Sequence, residues 1–147
     1  MRSTVIRIIT SSLFVMLVSQ GLWALFRIMG ITLFSDARYW CTWGPIAQGL
    51  TTGVPSAEFL YWSLAINLVT ALIFVLLYRF MKKSFTGGIF KKGLKFSGLV
   101  FLAGSLPVLM MGGVMVYLSP VLIVLSIFAY LVVSFINGVI VASINRN

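Results

Sequence analysis

The chain has no histidine, one cysteine and only two acids among its 147 residues. Each shortage removes a class of chemistry. With Cys41 alone, no disulfide can close within the chain and no Cys-x-x-Cys redox pair exists. Without histidine there is no Cys/His zinc site and no haem held by histidine. The two acids, Asp36 and Glu58, stand well apart, and neither falls inside an apolar run. Carboxylate-driven proton pumps place an acid in the membrane core, so the sequence argues against that mechanism. No glycine-rich phosphate loop is present. The expectation is a protein with no metal, no cofactor, no catalytic residue and no enzymatic activity. An enzyme here would have to draw on Asp36 and Glu58.

Charge of either sign is scarce. Hydrophobic residues make up 61% of the chain and charged ones 9%, with a mean hydropathy of +1.11. Soluble domains run at about 45–50% apolar and about 25% charged, so this chain cannot clothe a soluble surface. At about 20 residues per bilayer crossing, the length allows four crossings joined by short loops. The fold expected is all-α: a polytopic bundle of four transmembrane helices forming one domain over residues 1–147. The net charge of +9 invites a nucleic-acid partner. The bases cluster beside apolar runs instead, as juxtamembrane charges do, and no nucleic-acid binding is expected.

The first helix is expected over residues 6–31. Its basic start, its apolar run and Ser19-Gln20-Gly21 also fit a secretory signal peptide. The apolar stretch continues past that point to spanning length, which favours a retained helix. Residues 32–56 form the longest polar segment, an outer loop broken by Gly44-Pro45, Gly49, Gly53 and Pro55. Ser35 can cap a short helical turn there. Tyr39, Trp40 and Trp43 are residue types that sit at headgroup level. Ser56 reads as an N-cap, with Glu58 in the first turn where the helix dipole favours a carboxylate. The second helix then covers residues 57–81.

A basic island from Arg79 to Lys95 follows, with the connecting loop at 82–92. The third helix is expected over residues 93–118. In it Gly98, Ser105 and Gly112 recur every seven residues. Pro107 lacks an N–H and crowds the Ala103 carbonyl, which predicts a kink. Ser119-Pro120 opens the fourth helix, residues 120–144. Ser126, Tyr130, Ser134, Gly138 and Ala142 fall every four residues along it. Such small-residue rows let backbones approach closely, so the third and fourth helices are expected to form a tight antiparallel hairpin.

Four crossings would gather nine bases and no acid on one side, and two bases with two acids on the other. The positive-inside rule then puts both termini and the 82–92 loop in the cytoplasm.

Three groups of residues are candidates for function. Gln20, Arg27, Asn67, Pro107 and Asn137 lie at membrane depth and could line a ligand or ion path. The competing reading of the amides is hydrogen bonding between helices, at about 0.6–2 kcal/mol each. Arg27 lies near the outer end of its helix, where it can snorkel to headgroups or pair with an acid. Asp36, Arg38, Tyr39, Trp40, Cys41, Trp43 and Glu58 form an outer surface for contact with a partner, with Cys41 expected as a partly buried free thiol. Arg79, Lys82, Lys83, Lys91, Lys92 and Lys95 would face anionic lipid, each base contributing about 1 kcal/mol near the surface. The same charges serve as topology determinants.

The run FKKGLKFSGLVFLAGSLPVLMMGGVMVYLSPVLIVLSIFAYLVVSFINGVIVASI resembles the C-terminal half of small uncharacterised bacterial four-helix inner-membrane families. Gly93, Pro107, Tyr117, Pro120 and Gly138 carry the resemblance. It implies a location in the bacterial inner membrane and no particular activity. The glutamate that small multidrug-resistance transporters carry in their first helix is absent. So are the Gly- and Thr/Ser/Phe-rich motifs of the fluoride-channel family. The function expected is that of a non-enzymatic accessory or structural subunit, with a protein partner or further copies of itself. It would act through helix packing and its outer aromatic loop. The alternative is a small oligomeric channel or transporter.

Overall fold

The computed structural model describes residues 2–34, 57–115 and 120–145. All regular structure among them is helical. Helix α1 spans Arg2–Phe34, and α2 spans Ala57–Met81. A short 3-10 turn, Lys82–Ser84, leads to α3, Ile89–Val100. A π turn over Phe101–Ser105 joins α3 to α4, Leu106–Met115. Helix α5 is Pro120–Ile144. Four stretches are long and apolar enough to cross a membrane: Thr4–Phe26, Tyr61–Ser84, Ile89–Met111 and Ile123–Ile144. The third combines α3, the π turn and most of α4.

Three ends differ from the sequence expectation. Helix α1 starts at Arg2 rather than at residue 6. Helix α1 runs on through residues 32–34, into what reads as loop. At 33 residues it is about 50 Å long, well beyond a hydrocarbon core of about 30 Å. Helix α3 begins at Ile89 rather than Gly93. Gly87 makes the earlier start workable: its φ of 113° is a conformation that side chains resist, and it reverses the chain within the linker. Lys91, Lys92 and Lys95 therefore ride on a helix, and the link from α2 to α3 is short.

The polarity of α1 is inverted relative to a helix of a soluble bundle. Along α1 the buried face is Ser11, Ser12, Val15 and Ser19, while Ile6, Leu13, Phe14 and Leu17 point outward. Small polar residues inside and large apolar ones outside suit a helix solvated by lipid, where close packing and hydrogen bonds replace the hydrophobic effect. Helix α5 lies at the centre. It packs most extensively on α3, next on α1, and lightly on α4 and α2. Helix α1 also pairs along α2. The fully buried Phe96 joins α3 to α2, with Phe74 and Tyr78 packed edge-on at 4.8 and 5.2 Å.

The α3–α5 contact is backbone against backbone. A Cβ placed on Gly93 would come within 2.7 Å of the Gly138 carbonyl oxygen. One placed on Gly138 would come within 2.6 Å of the Gly93 oxygen and would collide with Ser97. The tight α3–α5 hairpin is present, but through different residues on the α3 side. Gly98, head of the expected Gly98–Ser105–Gly112 row, has open space where a Cβ would be. The π turn between Gly98 and Pro107 holds an extra residue per turn, which rotates the two halves of that row apart. The row on α5 divides as well. Each four-residue step passes a full turn by about 40°, so Tyr130 meets Trp23 of α1 at 4.5 Å while Gly138 meets α3.

Pro107 is exposed, just after the π turn. The Leu106 amide reaches back five residues to the Phe101 carbonyl. This widened turn accommodates a proline ring that an unbroken α-helix would drive into the Ala103 carbonyl.

Candidate functional site

A polar seam runs between α1 and α5. Ser11 and Ser19 are eight residues apart on α1, and Asn137 of α5 lies eight residues before Asn145, just past that helix's end. Because the helices are antiparallel, Ser19 meets Asn137 and Ser11 meets Asn145. The Asn137 amide donates to Ser19 Oγ at 2.8 Å. The Asn145 amide donates to Ser11 Oγ at 2.9 Å and to the Val141 carbonyl at 3.1 Å. The Ser11 hydroxyl in turn donates a hydrogen bond to the Arg7 carbonyl. Arg79 of α2 closes the chain, donating from Nη1 to Asn145 Oδ1 at 3.2 Å. Asn145 thus ties three helices together at one end of the bundle while only 2% exposed.

Two atoms in the seam stand without hydrogen bonds. Ser12 Oγ and Asn137 Oδ1 are both fully buried and have no hydrogen-bond partner among the described residues. A buried acceptor left unpaired costs about 1–3 kcal/mol, and water is the usual remedy where space allows.

Gln20 sits on a neighbouring face of α1 and donates to Ser63 Oγ of α2 at 3.0 Å. Asn67 does not cross the bundle; its amide bonds the Ser63 carbonyl of its own helix. Gln20 and Asn67 thus meet at Ser63, but Asn137 and Pro107 are not brought to them. Gln20 faces α2, Asn137 faces α1, Asn67 serves its own helix, and Pro107 faces outward. Arg27 lies on α1 and Glu58 in the first turn of α2, but their side chains are outside the described residues. Asp36, Arg38, Tyr39, Trp40, Cys41 and Trp43 are outside them altogether.

The basic island separates into parts. Lys82, Lys83 and Lys92 line a cleft of about 540 Å³ at the same end as Asn145. Tyr78, Asn145 and the Gly87–Gly88 backbone complete its principal walls. The charges of Arg79, Arg7, Lys83 and Lys92 all press on Lys82. Lys91 and Lys95 are exposed and lie outside the cleft lining. Lys95 reaches the Thr86 carbonyl at 3.5 Å, while Arg79 is committed to Asn145.

Sequence reasoning missed Ser11, Ser19, Tyr78 and Asn145. The matched eight-residue spacings on α1 and α5 were the available signal for three of them. Ser19 and Gln20, which also read as part of a cleavage site, are both engaged in contacts across the bundle. Comparison with protein families, curated proteins and solved structures finds no match to this chain, so its function rests on the seam and the cleft.

Proposed function

We propose that this is a small integral inner-membrane protein acting as a non-enzymatic accessory or structural subunit. The observation that carries the reading is the use of the polar side chains between the helices. Asn137, Asn145, Arg79 and Gln20 each bond a partner on another helix, and the α3–α5 gap is closed by backbone contact. A conduit needs polar groups free to receive what passes; here those groups hold helices together. Only 17% to 28% of each crossing's most apolar window is buried within the chain. The remaining surface is available to lipid and to a protein partner.

In this reading both termini and the Lys82–Lys95 end face the cytoplasm, by the asymmetry of basic residues, and that end contacts anionic headgroups. The outer loop, with Asp36, Arg38, Tyr39, Trp40, Cys41, Trp43 and Glu58, supplies the second contact surface. Gentle solubilisation from native membrane, followed by mass spectrometry of the intact assembly, is expected to recover a stoichiometric protein partner or further copies of the chain. Ion or solute flux through proteoliposomes of the pure protein, abolished by Asn137→Leu, would replace this reading with that of a small oligomeric channel or transporter. The unpaired Asn137 Oδ1 and the π turn before Pro107 are what favour that second reading.

A further inference from the structure

We propose that the cleft between the end of α2 and the start of α3 is a binding site for a single phosphate group, held by Lys83, Lys92 and the Tyr78 hydroxyl. The inference rests on the anionic-headgroup contact proposed above and narrows it from a diffuse basic surface to one built site.

Four observations support it. The first is the concentration of charge. Three lysines share one cleft in a chain with only two acids, and Glu58 starts α2 at the opposite end from Lys82. Bringing ammonium groups together costs free energy that an anion between them returns. The second is the state of the donors. Among the described residues, neither the Lys83 nor the Lys92 ammonium makes a hydrogen bond or ion pair. Each offers three N–H donors as a compact charge of the kind that serves phosphate.

The third is Tyr78. It is 2% exposed, it lines the cleft, and its hydroxyl has no hydrogen bond among the described residues. A buried phenol normally finds a partner, and here the cleft is where one fits. The fourth is the amino end of α3. Gly88 caps it without a side-chain hydrogen bond, so its first amides are open to an anion alongside the positive end of the helix dipole.

Size and depth narrow the ligand class. A cavity of about 540 Å³ exceeds a simple ion and suits a phosphate with an organic substituent. The cleft sits where Tyr61–Ser84 ends and Ile89–Met111 begins, the depth at which phospholipid headgroups meet water. A lipid headgroup and a soluble phosphate compound share this chemistry.

The test uses the full chain in dodecyl maltoside, with native mass spectrometry reporting bound phosphatidylglycerol against phosphatidylcholine. Lys83→Gln/Lys92→Gln is compared with Lys91→Gln/Lys95→Gln, which removes the same charge outside the cleft. The expected result is about a hundredfold weaker phosphatidylglycerol affinity for the cleft pair, from two charged hydrogen bonds, and about threefold or less for the control pair, since a neutral micelle presents no anionic surface to it. Tyr78→Phe keeps the ring against Phe96 and removes only the hydroxyl; about a threefold loss is expected, with the melting temperature reporting on the fold. Inorganic phosphate and glycerol phosphate are titrated in parallel. Displacement of the lipid by millimolar glycerol phosphate marks a soluble ligand, and its retention marks a lipid. Equal losses for both lysine pairs would overturn the cleft while leaving diffuse headgroup contact intact. No preference for phosphatidylglycerol in the native chain, with no binding of either phosphate, would overturn both.

Discussion

The two long faces of α5 are built on opposite principles. Toward α3, at Gly138, the helix presents no side chain, and backbone meets backbone. The one polar side chain at that crossing, Ser97, bonds the Gly93 carbonyl of its own helix at 2.9 Å. Toward α1 the same helix presents Asn137, with Asn145 just past its end, and the bonds of both cross the interface. The first face depends on shape and allows almost no substitution. The second depends on specific donors and acceptors, each of modest worth, and can lose one without closing the gap. A helix that must hold two neighbours in lipid can thus fix one by contact and the other by register. The eight-residue spacing of the seam admits one antiparallel alignment of α1, whereas the glycine contact alone would tolerate a range of crossing angles.

The largest effect expected from breaking this arrangement is at the glycine contact. Gly138→Leu forces a branched side chain into space held by Ser97 and the Gly93 carbonyl. Overpacking of this kind costs about 3 kcal/mol or more when backbone has to move. In detergent the protein should lose its cooperative thermal transition or melt well below the native chain. Gly98→Ala is the matched control. Gly98 has nothing near a built Cβ, so alanine should leave the melting temperature unchanged or raise it slightly. Comparable losses at both positions would mean that glycine acts here through helix propensity and not through close approach.

Asn145 comes next. Asn145→Leu removes the acceptor for Arg79 and the donor to Ser11 together. The serine can still use the Arg7 carbonyl, but the guanidinium loses its only hydrogen bond on another helix among those described. A destabilisation of about 1–3 kcal/mol is expected, larger than for any other residue of the seam. Arg79→Gln in the same background should add little, since the two residues act as one unit. A melting curve for the double substitution that falls by the sum of the singles would show that Arg79 and Asn145 are independent.

The four helices long and apolar enough to cross a membrane were legible because long apolar runs are local signals. The close α3–α5 pairing was legible in kind, from Gly138 and its small neighbours, but its partner on α3 was not. Gly93 and Ser97 fall outside the seven-residue row of Gly98, Ser105 and Gly112. That row loses its common face at a π turn, which no residue pattern before Pro107 announces. The start of α3 was obscured for a related reason: Gly87-Gly88 and two lysines read as a loop, yet only Gly87 takes a conformation that ends one. Asn145 was hidden by its place near the chain end, where polarity is ordinary. Its role follows from Ser11 and Arg79, residues far from it in sequence. The cleft has the same origin, since Lys83 and Lys92 are neighbours only once the linker folds back.

The smallest effect expected is at the other rung of the seam, and it bears most directly on how α1 is held. Asn137→Leu removes the bond to Ser19 and, with it, a buried Oδ1 that has no partner. The lost bond is worth about 0.6–2 kcal/mol, and removing an unpaired acceptor offsets much of that. Ser19 can turn its hydroxyl to a carbonyl of its own helix, as Ser11 already does. The net change should stay within about 1 kcal/mol, with Ser19→Ala in the double substitution adding nothing further. If Asn137→Leu instead destabilises as strongly as Asn145→Leu, a water bound at Oδ1 must be contributing. The seam would then be a hydrated network rather than two separate rungs, and α1 would be held by both in concert.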